Sequence, residues 1–145
     1  MLVGPTGAGK TTCYKVLADS MGRIELLLKN DRRFALPLIK VLNPKSISMG
    51  ELYGEENIDT TEWSDGLASK IIRKYAKKDV MKPMEEGVAD VRQQFWTVFD
   101  GPVDAKWIEN MNTVLDDNML LSLPNGERIK LHPSMHMLFE VEDLT

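Results

Sequence analysis

The stretch GPTGAGKTT, residues 4–12, decides the fold of this chain. Gly4, Gly9, Lys10 and Thr11 match the spacing G-x-x-x-x-G-K-[ST]. In that pattern the glycines let the backbone turn its N–H groups inward, and the lysine and the hydroxyl reach toward an anion held by the loop. The stretch therefore predicts a loop that binds phosphate groups.

The residues on either side of this loop are those that the pattern requires. Residues 1–3, MLV, have the character of a strand end, and residues 10–22, KTTCYKVLADSMG, have apolar side chains at helical spacing. We expect Gly22 to end this helix, since glycine is common just after a helix. Strand, glycine loop and helix thus follow in the order of a nucleotide-binding α/β domain.

The residues of the loop have expected roles at a nucleotide. The helix N-terminus adds partial positive charge, Lys10 reaches the β- and γ-phosphates, and the Thr11 hydroxyl ligates Mg²⁺. Thr12 offers either a second hydroxyl near the phosphates or an ordinary helix position, and we favour the helix position. The candidate nucleotide-binding residues are Gly4, Pro5, Thr6, Gly7, Ala8, Gly9, Lys10, Thr11 and Thr12.

A second element of such a site is a strand that ends in an aspartate near the metal ion. FWTVFD, residues 95–100, is apolar on both faces, which is typical of a parallel strand between two helical layers. We therefore predict that Asp100 holds Mg²⁺ together with Thr11. The alternative is that Asp100 serves as a turn residue or a helix cap.

Gly101 follows this aspartate, at the position where a nucleotide hydrolase usually carries the acid that activates water. A carboxylate in that role is worth about 10² to 10⁴ in rate. Asp104 and Glu109 lie beyond the strand end and would point elsewhere unless the chain folded back. The sequence thus predicts a domain that holds a nucleotide and is poorly equipped to hydrolyse it, and we assign no catalytic residue.

The middle of the chain alternates between strand and helix patterns. Residues 36–44, LPLIKVLNP, are predicted to form a buried strand ended by the Asn-Pro pair, and residues 46–54 a short helix. Residues 78–94 have the composition of a polar surface loop. A longer helix is expected to start near Ser64 or Asp65, with an apolar face made of Leu67, Ile71, Ile72 and Tyr75.

The last third of the chain predicts three further elements. Residues 119–133 carry a Pro-Asn-Gly turn between two strand-like runs, which predicts a β-hairpin, and residues 135–141, MHMLFEV, predict a closing strand. We expect an α/β fold, a three-layer αβα P-loop NTPase with a parallel sheet and a β-hairpin insert. A helix is predicted across residues 104–118, where the apolar residues at helical spacing are Trp107, Ile108, Met111, Val114 and Leu115.

Composition sets limits on the partners of the chain. Its 145 residues make about one domain, and the 43% hydrophobic and 28% charged content is ordinary for a globular protein. A net charge of −4 argues against a general nucleic-acid binder. The single Cys13 cannot form an internal disulfide, and no window resembles a membrane span or a signal peptide. We predict neither nucleic acid nor membrane as a partner.

Five stretches together resemble the second AAA+ module of the dynein heavy chain motor, and the axonemal heavy chains more than the cytoplasmic one. The resemblance covers nearly the whole chain. The stretches are MLVGPTGAGKTT, VLNPKSISMGELYGE, TTEWSDGL, FDGPVDAKWIENMNTVLDDNMLLSLPNGERIKL and MLFEVEDL.

This resemblance implies a module in a ring of six, of which the first hydrolyses ATP and the second binds it without turnover. The Walker A motif falls on residues 4–11 and the Walker B motif on residues 95–100, and the family's second module also lacks the acid replaced here by Gly101. The implied ligands are ATP or ADP with Mg²⁺. The implied partners are neighbouring modules, dynein intermediate and light chains and microtubules, in the cytoplasm and cytoskeleton of a ciliary or flagellar axoneme.

The same resemblance implies that residues 1–145 are one partial large subdomain, which ends before the last core strand. The implied hairpin insert lies at about 119–131. Glu142 and Asp143 stand where AAA+ hydrolases usually carry a polar sensor. An acid there would repel a γ-phosphate, or it would cap the segment that follows.

Three functions other than a motor module are alternatives for this sequence. The first is a hydrolysing NTPase in which another acid replaces the missing one. The second is a small P-loop kinase, which needs an arginine-bearing lid that the sequence does not show. The third is a scaffold with a vestigial pocket.

Overall fold

A computed structural model of the protein describes residues 1–28, 34–80, 94–102, 111 and 117–143. The described helices are α1 (Lys10–Leu27), α2 (Met49–Tyr53) and α3 (Leu67–Val80), with a 3-10 turn at Pro44–Ser46. The described strands are β1 (Leu2–Val3), β2 (Leu38–Leu42), β3 (Gly54–Glu56), β4 (Trp63–Asp65), β5 (Phe95–Asp100), β6 (Leu120–Ser122), β7 (Arg128–Lys130) and β8 (Met135–Val141).

Strands β1, β8, β5 and β2 form one parallel sheet in that order. Strand β5 lies inside it, with Phe95 to Phe99 all buried, because strands β8 and β2 pair with its two edges and both faces are covered. Trp96 and Val98 pack with α1 residues Tyr14 and Ala18 on one face. The parallel sheet predicted from FWTVFD and the glycine loop is confirmed.

The opposite face of the sheet carries the larger core. Phe95 and Phe99 of β5 and Phe139 of β8 pack there with residues of α2, α3 and the β6–β7 hairpin. The Phe99 and Phe139 rings stack with centroids 5.1 Å apart. Alternate residues of β5 therefore face two different layers, and the three-layer arrangement expected for a P-loop NTPase is present.

Helix α1 is longer than the sequence predicted. It passes through Gly22 and ends at Leu27, where the Leu28 N–H donates to the Ile24 carbonyl at 3.0 Å. Gly22 is not among the residues with positive φ, and a glycine ends a helix only where it takes the left-handed conformation. The prediction that Gly22 stops the helix was wrong for this reason.

The sequence analysis missed the hairpin formed by β3 and β4. Ser64 and Asp65, predicted to begin a helix, lie instead in β4, with Ser64 paired to Glu55. Helix α3 begins two residues later, at Leu67. Leu67 itself is 43% exposed, so only the later part of the predicted apolar face, around Ile72, is buried.

Strand β2 is also less buried than predicted. It lies at an edge of the sheet within the described residues, and Leu38 and Val41 are 43% and 51% exposed. Of its five residues only Leu42 is buried. Its end agrees with the prediction, because the Asn43 side chain accepts a hydrogen bond from the Lys45 N–H at 3.0 Å and caps the 3-10 turn.

The predicted β-hairpin is present as β6 and β7, with Gly126 of the turn at φ 86°. The short helix predicted within residues 46–54 is α2. Most of the predicted loop at 78–94 and of the predicted helix at 104–118 lies outside the described residues. Within the predicted helix, Met111 is described, and it is helical and buried. None of the described helices is both long and apolar enough to cross a membrane.

Candidate functional site

The glycine loop connects β1 to α1 at the carboxyl end of the sheet. Gly7 and Gly9 have φ values of 83° and 86°, a left-handed conformation that favours glycine. Nothing lies within 4 Å of the position that a Cβ would take at either residue, so backbone conformation and not crowding demands glycine there. Gly9 is the N-cap of α1 and provides no side-chain cap, which leaves N–H groups of the first turn available to an anion.

The Lys10 ammonium lies against the loop. It donates hydrogen bonds to the carbonyl oxygens of Gly4 and Pro5, the latter at 3.1 Å. A carbonyl pair can be exchanged for phosphate oxygens, which are stronger acceptors because they carry charge. The backbone carbonyls of the loop therefore hold the Lys10 ammonium at the place where the motif needs a cation.

Strands β5 and β8 end side by side next to this loop. Asp100 pairs in register with Glu140, because the carboxyl ends of parallel strands meet at one edge of the sheet. Asp100 is exposed, whereas Glu140 is only 2% exposed. The Thr11 hydroxyl donates to Glu140 Oε2 at 3.1 Å. Two carboxylates and the threonine hydroxyl are thus brought together.

The electrostatics of this cluster are those of crowded acids. Burial raises the pKa of the Glu140 carboxyl above its ordinary value, the Thr11 hydroxyl opposes that shift, and the neighbouring Asp100 adds to it. Burial also raises the pKa of Tyr14, and Glu140 and Asp100 raise it further. The positive charge of Lys10 also opposes the shift of the Glu140 pKa, but the net direction is upward, so the described side chains compensate this acid only in part.

The residues present fit a small divalent cation. Glu140 Oε1 is buried and has no hydrogen-bond partner in the described part of the chain, so its lone pairs are not used by protein donors there. Mg²⁺ is commonly held by one or two carboxylates and a hydroxyl, with nucleotide phosphates and water completing the shell. Among the described residues no group of three or more His, Cys, Asp or Glu side chains is placed to hold a metal ion.

Gly101 takes a conformation that residues with a side chain rarely adopt, with φ at 146°. A Cβ built there would lie 3.3 Å from Pro44 Cδ and 3.4 Å from Asn43 Oδ1. The Gly101 N–H donates to the Glu140 carbonyl oxygen at 3.1 Å. The position expected to carry a water-activating acid is thus a tight backbone turn. Asp104 and Glu109 lie outside the described residues.

Glu142 contacts the glycine loop. Its Oε1 accepts a hydrogen bond from the Thr6 hydroxyl at 2.5 Å, although the residue is exposed. The sequence analysis left open whether this acid faces a phosphate or caps the following segment, and the structure shows a third arrangement, a cap on the loop itself. Asp143 is exposed and lines the same cleft.

A cavity of about 1100 Å³ joins these parts, and a volume of that size can hold a nucleotide. Thr12 lies on α1, lines this cavity and is exposed. Gly4 and Pro5 do not line it, since their carbonyls face Lys10 instead. The other predicted site residues all line it, namely Thr6, Gly7, Ala8, Gly9, Lys10, Thr11 and Asp100.

A family model described as "AAA domain (dynein-related subfamily)" matches residues 1–145. The chain belongs to this dynein-related AAA family. It is 53% identical over 145 residues to dynein axonemal heavy chain 6 of Homo sapiens and 50% identical over 149 residues to dynein axonemal heavy chain 1 of Mus musculus. It is 43% identical over 145 residues to the dynein-1-beta heavy chain, flagellar inner arm I1 complex, of Chlamydomonas reinhardtii.

These matches cover 99–100% of this AAA chain and 3% of each relative. The chain therefore spans about 3% of the length of the dynein heavy chains that it matches. The resemblance to axonemal dynein heavy chains predicted from five stretches of sequence is confirmed.

Glu140 is the residue of this AAA domain that the sequence analysis missed as a site residue. It sits inside MHMLFEV, where it interrupts a strand that is otherwise apolar toward its end. Once MHMLFEV is taken as a parallel neighbour of FWTVFD, an acid that falls in register with Asp100 is a signal for the same site.

Proposed function

We propose that this dynein-related AAA domain binds ATP or ADP with Mg²⁺ and does not hydrolyse ATP. The observation that carries the proposal is the pairing of an intact phosphate loop with Gly101 at the position of the missing acid. The loop has the backbone conformation and the lysine that phosphate binding needs. Gly101 has no side chain to activate water, and its φ of 146° is one that residues with a side chain rarely adopt.

The proposed roles of the residues follow from their positions. Backbone N–H groups of the loop and of the first turn of α1 bind the phosphates, and Lys10 neutralises their charge. Thr11 and Asp100 hold Mg²⁺, which when bound neutralises charge on the nucleotide. The remaining loop residues, Gly4, Pro5, Thr6, Gly7, Ala8, Gly9 and Thr12, shape the nucleotide site.

Two further acids near the loop, Glu140 and Glu142, each accept a hydrogen bond from a threonine hydroxyl. Glu142 accepts from the Thr6 hydroxyl of the glycine loop. Glu140 accepts from Thr11 and is buried behind it. A general base must reach the attacking water within hydrogen-bond distance, and in this structure both acids are instead engaged by threonine hydroxyls.

At the scale of the whole protein, we propose that the chain is the second module of an axonemal dynein heavy chain. There it would act as a structural and allosteric part of a microtubule motor, in a cilium or flagellum. Its partners would be the neighbouring AAA modules and, through the rest of the protein, intermediate chains, light chains and microtubules. The names of the matched heavy chains and the 53% identity support this proposal.

The test is nucleotide affinity and turnover of the full chain with Mg²⁺, measured beside Lys10→Ala. Lys15→Ala, an exposed lysine on the same helix, is the matched control. We expect the wild type and the control to bind ATP and the Lys10 variant to bind at least tenfold more weakly, with no release of phosphate. Steady ATP hydrolysis that depends on Lys10 would refute the non-hydrolysing assignment, and equal binding by all three chains would refute the site.

A further inference from the structure

A second carboxylate lies at the candidate metal site, beyond the residues assigned above. Glu140 lies at the carboxyl edge of the sheet, in register with Asp100, and is only 2% exposed. Its Oε2 accepts the Thr11 hydroxyl hydrogen at 3.1 Å. Its Oε1 is buried and has no hydrogen-bond donor within the described ranges.

Packing does not explain an acid at this position. Burying a carboxylate costs free energy unless a cation or hydrogen-bond donors compensate it, and here a second acid lies beside it. Leu138, two residues earlier and therefore on the same face of β8, is apolar and packs with Tyr14 and Ala18 of α1, so an apolar side chain would suit this face. A cation at the Thr11 hydroxyl would compensate both Asp100 and the free oxygen of Glu140.

The direction of the Thr11 hydrogen bond gives Glu140 a defined task. A hydroxyl has one hydrogen and two lone pairs. Because the hydrogen points to Glu140, the lone pairs of Thr11 Oγ1 are left for another partner. Glu140 therefore fixes the orientation of the hydroxyl that the motif uses as a metal ligand, as partners behind the ligands do at other metal sites.

We propose that Glu140 is a positioning residue of the Mg²⁺ site, which orients Thr11 and makes a pair of carboxylates with Asp100. This inference rests on the proposed nucleotide binding. Glu140 is assigned to the metal site and not to water activation because its Oε2 accepts from the metal-ligating hydroxyl of Thr11 and the residue is only 2% exposed.

The experiment compares Glu140→Gln with the wild type in the full chain, using ATP affinity measured by calorimetry with Mg²⁺ and with EDTA. Glutamine keeps the size of the side chain and removes its charge. We expect about a 10- to 100-fold loss of affinity with Mg²⁺, the range found when groups behind metal ligands are removed, and less than a twofold change with EDTA. Glu62→Gln, an exposed acid outside the cavity, should change neither value.

A double-mutant cycle keeps the result interpretable if the variant alters packing. If Glu140 acts through Thr11, its effect should be smaller when the Thr11 hydroxyl is absent. Glu140→Gln should therefore lower the Mg²⁺-dependent affinity clearly less in the Thr11→Val background than in the wild type. Thermal unfolding without nucleotide verifies that every variant is folded.

Two outcomes would overturn the inference about Glu140. One is an unchanged Mg²⁺ dependence in Glu140→Gln, and the other is an equal loss with Mg²⁺ and with EDTA. Either differs from failure of the proposed function, in which the folded wild type itself would bind no ATP under both conditions.

Discussion

Gly101 is the residue at which backbone conformation and the proposed chemistry meet. Its φ of 146° belongs to a region that residues with a side chain rarely adopt, and Pro44 and Asn43 stand close to the place of a Cβ. The missing acid is thus more than a substitution of one side chain. The backbone at the end of β5 turns in a way that a glutamate does not favour.

We therefore predict that Gly101→Glu fails to create an ATPase. Placing a side chain in this conformation costs about 1–3 kcal/mol, and each kcal/mol lowers the Tm of a domain of this size by about 2–4 °C. Thermal unfolding and phosphate release measure the two effects. A variant with unchanged Tm and steady, Lys10-dependent turnover would show that the backbone accepts an acid and that only the side chain was missing.

We expect Glu140 to lower the stability of the nucleotide-free chain while it supports the proposed binding of Mg²⁺. Since its pKa is raised in the folded chain, the folded state keeps the proton to higher pH than the unfolded state does. Stability is therefore lost as the pH rises from the ordinary value of 4.5 through the raised folded value. At neutral pH the nucleotide-free protein carries this cost.

Glu140→Gln should accordingly raise the Tm of the nucleotide-free chain at pH 7 by about 2–4 °C for each kcal/mol recovered. The gain should shrink as the pH is lowered toward 4.5. Scanning calorimetry across this pH range is the measurement. A lower Tm at pH 7 would mean that the hydrogen bond to Thr11 outweighs the cost of burying the acid.

At the scale of elements, one arginine joins three pieces of structure. Arg73 of α3 donates from Nε to Asp65 of β4 at 2.8 Å and from Nη2 to Glu127 at 2.7 Å, in the turn of the β6–β7 hairpin. Its hydrogen bonds lower the pKa of both carboxyls. Both hairpins are thereby fastened to the same helix, on the face of the sheet that carries the larger core.

We predict that this link weakens in acid. A carboxyl with a lowered folded pKa contributes stability that is fully present above its unfolded pKa and is lost as the pH falls through the folded value. The stability contributed by Glu127 should therefore begin to be lost as the pH falls below 4.5, the ordinary pKa of its carboxyl. The contribution of Asp65 should be lost below its own ordinary pKa of 3.8. In Arg73→Gln the Tm should fall at pH 7 and depend less on pH between 5 and 3, as a buffer series by calorimetry would show.

The acids are partly exposed and water screens them, so the effect of Arg73→Gln should be modest. Lys74→Gln, a neighbouring exposed cation on α3, serves as the control for loss of positive charge. Parallel pH profiles for the wild type and Arg73→Gln would contradict the role given to these pairs.

At the scale of the whole molecule, the nucleotide site lies across separate parts of the chain, since the glycine loop, α1, β5 and β8 all contribute to it. A ligand that binds only this assembled arrangement stabilises the folded state by mass action. The site and the core share elements, because Tyr14 of α1 packs on Trp96 and Val98 of β5.

We predict that ATP with Mg²⁺ raises the Tm of the chain. At 100 times the dissociation constant the stabilisation is about 2.7 kcal/mol, which corresponds to a rise of about 5–11 °C for a domain of this size. Lys10→Ala should abolish most of the rise, whereas Lys15→Ala should keep it. A wild-type Tm that is unchanged by saturating nucleotide would count against a site built from the assembled fold.

Short-range patterns were sufficient for much of this protein. The glycine loop, the buried strand FWTVFD and the Pro-Asn-Gly hairpin each depend on residues within about ten positions of one another, and each is where the sequence predicted it. The parallel sheet followed from the same patterns, because a loop of this kind requires a strand before it and a helix after it.

The features that were missed depend on distant contacts. Gly22 allows the helix to continue because it stays right-handed, and the β3–β4 pairing, which places Ser64 opposite Glu55, outweighs the helical character of the residues around Asp65. Glu140 meets Thr11 across 129 positions of sequence, and only the packing of β8 beside β5 brings them together. Local preference determined the loop and the central strand, while the acidic cluster arose from tertiary packing, because charge and burial depend on neighbours that the chain supplies from elsewhere.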